Sequence, residues 1–206
     1  MFENIDWIFF DIGSTLVDES RAYQRRIEEA IFGTNITYQQ FYDTMMVYYR
    51  NNQKGDLKTI AHYGLQKPRW RKEEEILYPE TNECLAKLST KYKIGIIANQ
   101  SKGSKERLEA FDILKYIDLV IASAEEGVSK PDLRIFKIAL DRANCMPQNA
   151  LMIGDRLDND IAPANKSGMK TIWIRQGFSR FSTPRTEIEK ADYIVDNLND
   201  VMGLLI

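Results

Sequence analysis

The chain has 206 residues, 44% hydrophobic and 28% charged, with a formal net charge of -2. That balance is globular and excludes collagen-like, low-complexity and largely disordered chains; it also argues against nucleic-acid binding by bulk positive charge. Two cysteines, Cys84 and Cys145, make no disulfide framework or metal-finger spacing, and the lone histidine, His62, excludes a multi-histidine metal site, so any enzyme chemistry falls to carboxylates, lysines or a metal ion.

The N-terminal residues 1–6 have no basic start and no apolar core, so no secretory leader is expected. No apolar run reaches the ~18 residues of a membrane helix. A cytoplasmic chain with reduced thiols, no membrane partner and no nucleic-acid partner is the expectation. Residues 7–10 form a continuous apolar run, which predicts a strand buried on both faces. From about residue 17 to 78 the strand signal stops. Residues 20–32 predict a helix, Thr37-Tyr38-Gln39-Gln40 is a capping box that opens another through about residue 53, and residues 57–63 predict a short one. Gly55 and Pro68 punctuate this stretch.

Apolar runs then return at 94–98, 119–122, 150–153 and 171–174, with a weaker one at 193–195. Between them, residues 132–144 place Ile135, Phe136, Ala139, Leu140 and Ala143 on one helical face, with Pro131 in the first turn. Residues 158–167 predict a further helix, ended by Gly168. Strand–helix alternation of this kind predicts an α/β fold with a doubly wound parallel sheet. The expected division is a core of residues 1–16 and 79–206 with a small helical domain, 17–78, inserted after the first strand. The chain segments near residues 16–18 and 78–79 are the expected hinges.

In an open parallel sheet, ligands bind at the carboxyl ends of the strands. There the sequence places Asp11-Ile12-Gly13-Ser14-Thr15-Leu16, Asn99-Gln100-Ser101, Lys130-Pro131 and Gly154-Asp155-Arg156-Leu157-Asp158-Asn159-Asp160. Two carboxylates on adjacent strand tips can hold Mg²⁺ through oxygen ligands. A cation and a lysine together can neutralise a phosphoryl group.

The order of these motifs resembles the haloacid dehalogenase-like (HAD) superfamily, over essentially the whole chain, especially its phosphatases with a helical cap inserted after the first motif. The resemblance implies that Asp11 is a nucleophile forming an aspartyl-phosphate. It implies that Mg²⁺ binds Asp155, Asp11 and the carbonyl of Gly13, that Lys130 pairs with the phosphate, and that Asp160 orients the metal shell or Lys130. It places Thr15 and Asn99 among the phosphate-binding residues. A small phosphorylated metabolite is the implied substrate; the oligomeric state is not legible.

Two positions depart from that pattern. The family's phosphatases carry a second Asp, two residues after the nucleophile, that protonates the leaving group and activates water; here it is Gly13. The Ser or Thr that donates a hydroxyl to the phosphate is Ala98. Loss of general acid–base catalysis is worth ~10²–10⁴-fold, so the expected enzyme is weakened, or specialised for acyl and aryl phosphates, unless another group substitutes. Ser14, Ser101, Asp18, Glu28 and Glu29 are the candidates for that role. The alternative is a catalytically impaired relative that binds a phosphorylated ligand or a protein partner. A phosphonatase using Lys54 or Lys58, or a haloacid dehalogenase, fits less well.

Overall fold

The computed structural model describes residues 4–206. Residues 1–3, part of the expected core segment and of the stretch expected to carry no leader, lie outside them. The strands are β1 (Trp7–Phe10), β2 (Val17–Asp18), β3 (Ile76–Leu77), β4 (Lys93–Ala98), β5 (Leu119–Ala122), β6 (Ala150–Gly154), β7 (Lys170–Ile174) and β8 (Tyr193–Val195). The helices are α1 (Ser20–Ile31), α2 (Tyr38–Arg50), α3 (Gly55–His62), α4 (Thr81–Leu88), α5 (Ser104–Ala110), α6 (Ser123–Glu126), α7 (Leu133–Ala143), α8 (Ala162–Lys166) and α9 (Leu198–Leu205).

Every apolar run of the sequence becomes a strand of one six-stranded sheet, ordered β5-β4-β1-β6-β7-β8 and parallel throughout. Parallel strands need both faces covered, which is why the runs do not alternate with polar residues. Ile8 and Phe10 of β1 point into one core layer with Leu85 and Leu88 of α4 and Val201 of α9. Phe9 points the other way, against Ile135, Phe136 and Ala139 of α7. The α/β, doubly wound reading is therefore what the chain adopts.

Helix boundaries follow local chemistry. In α2 the Thr37 hydroxyl accepts from the Gln40 N–H at 3.2 Å, and the Gln40 side chain accepts from the Thr37 N–H at 2.8 Å, so the capping box forms. That helix stops at Arg50, earlier than expected. In α7 the N-cap is Asp132, whose carboxylate accepts from the Arg134 N–H at 2.9 Å, so Pro131 lies before the helix rather than in its first turn. Asn144 closes it in the left-handed conformation. The expected helix at 158–167 divides in two: a single π-helical turn over Leu157–Ile161, then α8. π-turns of this sort are rare and concentrate at functional sites.

Helices α1–α3 pack around Ile27, Phe41, Met45 and Ile60 on the C-terminal side of β1, and the antiparallel pair β2–β3 joins this layer to the sheet. Phe178, from the segment after β7, enters the same cluster: its ring meets Tyr23, Tyr42 and Tyr49 with centroids 5.1, 6.0 and 5.4 Å away. The Ser182 hydroxyl donates to the Tyr49 carbonyl at 2.9 Å, and Asn52 donates to the Thr183 carbonyl at 3.1 Å. The helical layer is thus fastened to the core by a segment distant in sequence. No helix among the described residues is long and apolar enough to cross a membrane.

Candidate active site

At the C-terminal edge of the sheet, β1 and β6 lie side by side, with Phe10 opposite Ile153. The Asp11 N–H donates to the Ile153 carbonyl at 3.0 Å, which extends the ladder one step and fixes Asp11 at the tip. The chain then folds back sharply: Leu16 and Val17 both donate to the Ile12 carbonyl, and Ser14 takes a positive φ of 54°. On β6, Gly154 lets Asp160 approach, since a Cβ there would stand 2.5 Å from the Asp160 carboxyl. The π-turn carries Asp160 back over the strand end, where its Oδ2 accepts from the Arg156 N–H at 3.0 Å.

The Lys130 ammonium bridges two of these carboxylates, donating to Asp11 at 2.7 Å and to Asp160 at 2.6 Å. Burial alone would strip its proton, but Asp11 and Asp160 outweigh burial and hold its pKa above the ordinary value. Asn99 positions this lysine: its amide donates to the Lys130 carbonyl at 2.9 Å and accepts from the Lys130 N–H at 2.8 Å.

Asp11, Asp155 and Asp160 bring carboxylate oxygens within 4.8 Å of one another. Burial, then repulsion from Asp160 and Asp11, pushes the Asp155 carboxyl well above its usual range, against a hydrogen bond from Ser179. Burial likewise raises Asp160 to about 6, against the pull of Lys130. Three clustered carboxylates and one ammonium leave an excess of negative charge, and an all-oxygen donor set suits a hard divalent cation.

A cavity of about 160 Å³ opens over this cluster, with Gly13, Ser14, Glu19, Lys54, Arg156 and Ser179 also in its wall. Glu19 is half-buried; desolvation, with Glu75 and Asp11 nearby, raises its carboxyl to about 7.

A family model described as haloacid dehalogenase-like hydrolase matches residues 8–174. The chain belongs to this family. A glyceraldehyde 3-phosphate phosphatase of Pyrococcus furiosus is 29% identical, over 96% of this chain and 92% of that protein. A protein of the same name from Pyrococcus abyssi is 31% identical, over 82% of this chain and 81% of that one. The crystal structure of a HAD phosphatase from Thermococcus onnurineus superposes with a TM-score of 0.65 over 98% of both chains, at 23% identity, which shows the shared fold. The protein is accordingly a HAD-family hydrolase.

Of the residues singled out in the sequence, the fold gathers Asp11, Gly13, Asn99, Lys130, Asp155 and Asp160 around one cavity. Thr15 is not among the residues lining it; its hydroxyl is fully buried and makes no hydrogen bond. Among the groups considered as substitutes for a second Asp, Ser14 reaches the cavity. Glu28 and Glu29 do not: Glu28 pairs with Arg25, and Glu29 accepts from Arg71 at 2.6 Å. Ser101 takes a hydrogen bond from Lys72. Asp18 is bonded to the Ser20 N–H and hydroxyl at the start of α1. Glu19 and Ser179 were not singled out. The turn that swings Glu19 inward shows no periodicity, and Ser179 arrives on a segment whose role is set by its contact with the helical layer.

Proposed function

We propose that this chain is a Mg²⁺-dependent phosphatase of small phosphorylated metabolites that works through an aspartyl-phosphate on Asp11. The observation that carries this reading is the Lys130 ammonium held between Asp11 and Asp160 beside the buried carboxyl of Asp155. Asp11 and Asp155, with the Gly13 carbonyl, would hold the ion; both Asp160 oxygens are already engaged by Lys130 and the Arg156 N–H, so Asp160 supports from behind. Mg²⁺ at this position would screen the negative charge of the phosphoryl oxygens.

The chain's own groups do the rest. Lys130 draws the phosphoryl group toward Asp11 and offers the attacking carboxylate a charged partner at 2.7 Å. Asn99 fixes the backbone from which Lys130 projects. The helical layer α1–α3, read as a cap, covers the site with Tyr23, Tyr49 and Lys54 and limits the substrate to a small one. Triose phosphates are the first esters to test, because the Pyrococcus relatives are named for one.

Phosphate release from glyceraldehyde 3-phosphate, other sugar phosphates, para-nitrophenyl phosphate and acetyl phosphate, with and without Mg²⁺, tests the reading. Mg²⁺-dependent turnover that is lost in Asp11→Asn supports it. Turnover that survives Asp11→Asn, or no turnover on any member, contradicts it.

A further inference from the structure

We infer that Glu19 performs the acid–base steps of the phosphoryl transfer, from the space that Gly13 leaves open. The inference rests on the phosphatase reading above. A Cβ on residue 13 would meet Glu19 Oε1 at 2.5 Å, its Cδ at 2.7 Å and Oε2 at 2.8 Å. The Glu19 carboxyl therefore occupies the volume into which a side chain at 13 would grow. Gly13 is not among the glycines with positive φ, so its backbone would accept other residues; what it provides is room.

The carboxyl is also suitably held. The Ser14 hydroxyl donates to Oε2 at 3.2 Å, and Oε1 accepts no hydrogen bond among the described residues. Glu19 shares the wall of the cavity that holds Asp11, Lys130 and Asp155. It equally lines a neighbouring cavity of about 300 Å³, bordered by Asp18, Tyr23, Tyr78, Phe178 and Arg180. A phosphoryl group in the first space and its leaving group in the second would place the scissile oxygen beside Glu19. Of the neighbouring carboxylates, Asp18 accepts through Oδ1 from the Ser20 N–H and hydroxyl, and Glu75 accepts from Trp70 and Arg107.

The steps balance. A carboxylate oxygen of Asp11 bonds to phosphorus as the bond from phosphorus to the ester oxygen breaks, and that oxygen takes the Glu19 proton, releasing an alcohol. A water oxygen then bonds to phosphorus, its proton passes to the Glu19 carboxylate, and the bond between phosphorus and Asp11 breaks. One ester and one water become one alcohol and one phosphate, with Asp11 and Glu19 restored.

The experiment compares wild type, Asp11→Asn, Glu19→Gln, Glu19→Ala and the double variant Gly13→Asp/Glu19→Ala on an alkyl phosphate and on acetyl phosphate, with intact mass spectra of the quenched protein. An alkyl leaving group needs a proton and acetate does not. Glu19→Gln is expected to lose ~10²–10⁴-fold in kcat/KM on the alkyl ester and far less in phosphoryl transfer from acetyl phosphate. It should also accumulate phosphorylated protein, because the water step lacks its base. The double variant, with a carboxyl supplied from position 13 instead, should recover alkyl-ester turnover relative to Glu19→Ala. A merely structural role for Glu19 would depress both substrates alike and trap nothing; that result, or Glu19→Gln at the wild-type rate, overturns the inference while leaving an Asp11-dependent phosphatase intact. Wild-type turnover that ignores Asp11→Asn, or none at all, overturns both.

Discussion

Asn99 and Lys130 exchange two hydrogen bonds, side-chain amide to backbone, across the ends of β4 and the segment leading to α7. The lysine that reaches Asp11 is therefore aimed by a residue that offers its side chain to the protein. Removing the amide so that a buried Lys130 backbone group is left unpaired costs ~1–3 kcal/mol. Asn99→Ala is expected to lower kcat more than it raises KM, because the misplaced group acts on Asp11. Asn99→Asp can accept from the Lys130 N–H but cannot donate, and should fall between. Equal kinetics for wild type and Asn99→Ala would refute the positioning role.

With Mg²⁺ held as proposed, the carboxylate cluster is expected to make the response to the ion depend on pH. Asp160 is raised from 3.8 to about 6, and burial with its acidic neighbours raises Asp155 well above its usual range, so the metal-free folded state keeps protons that the unfolded state has already lost. Metal-free stability should thus fall as pH rises from about 4 through 6. A cation binds the deprotonated cluster and removes that repulsion. The Mg²⁺-induced rise in Tm should be larger near pH 7.5 than near pH 5. A larger rise at the lower pH contradicts this. Asp155→Asn should flatten both trends.

Phe178 ties the helical layer to the core through Tyr23, Tyr42 and Tyr49. Phe178→Ala is expected to cost ~3 kcal/mol, the low end for a Phe→Ala change, because this ring is only partly buried. Thermal unfolding measures that cost directly. The looser layer should also raise KM for small esters. Unchanged Tm and KM would show that the contact contributes nothing.

Burial pushes the Cys84 thiol up to about 12 and the Cys145 thiol up to about 11. Since the thiolate is the reactive form, neither should be modified rapidly by a thiol reagent in the native protein at mildly alkaline pH. Both should react once the chain is denatured. Fast native labelling of Cys84 would contradict the packing of α4 against β4.

The sheet was legible because its strands are buried on both faces, so runs such as residues 94–98 stand out without any pattern of polarity. The acidic tip of β6 and the lysine of Lys130-Pro131 were legible because chemistry at strand ends follows the chain order. The placement of Thr15 was not legible: its place in the motif suggests a phosphate contact, and the turn at Ile12–Val17 folds its side chain inward, away from the cavity lining. Glu19 was illegible for a related reason. Its importance depends on the reversal of the chain between Asp11 and β2, and on the emptiness of Gly13, and neither is a periodic feature. The tie made by Phe178 depends on two segments far apart in sequence, which no local pattern encodes.

The most direct test of the account is rapid quenching of the enzyme with acetyl phosphate and Mg²⁺, followed by peptide mass mapping. A phosphoryl group is expected on the peptide that contains Asp11, absent from Asp11→Asn and absent without Mg²⁺. Phosphate release with no phosphorylated peptide, at a rate that Asp11→Asn leaves unchanged, would contradict it.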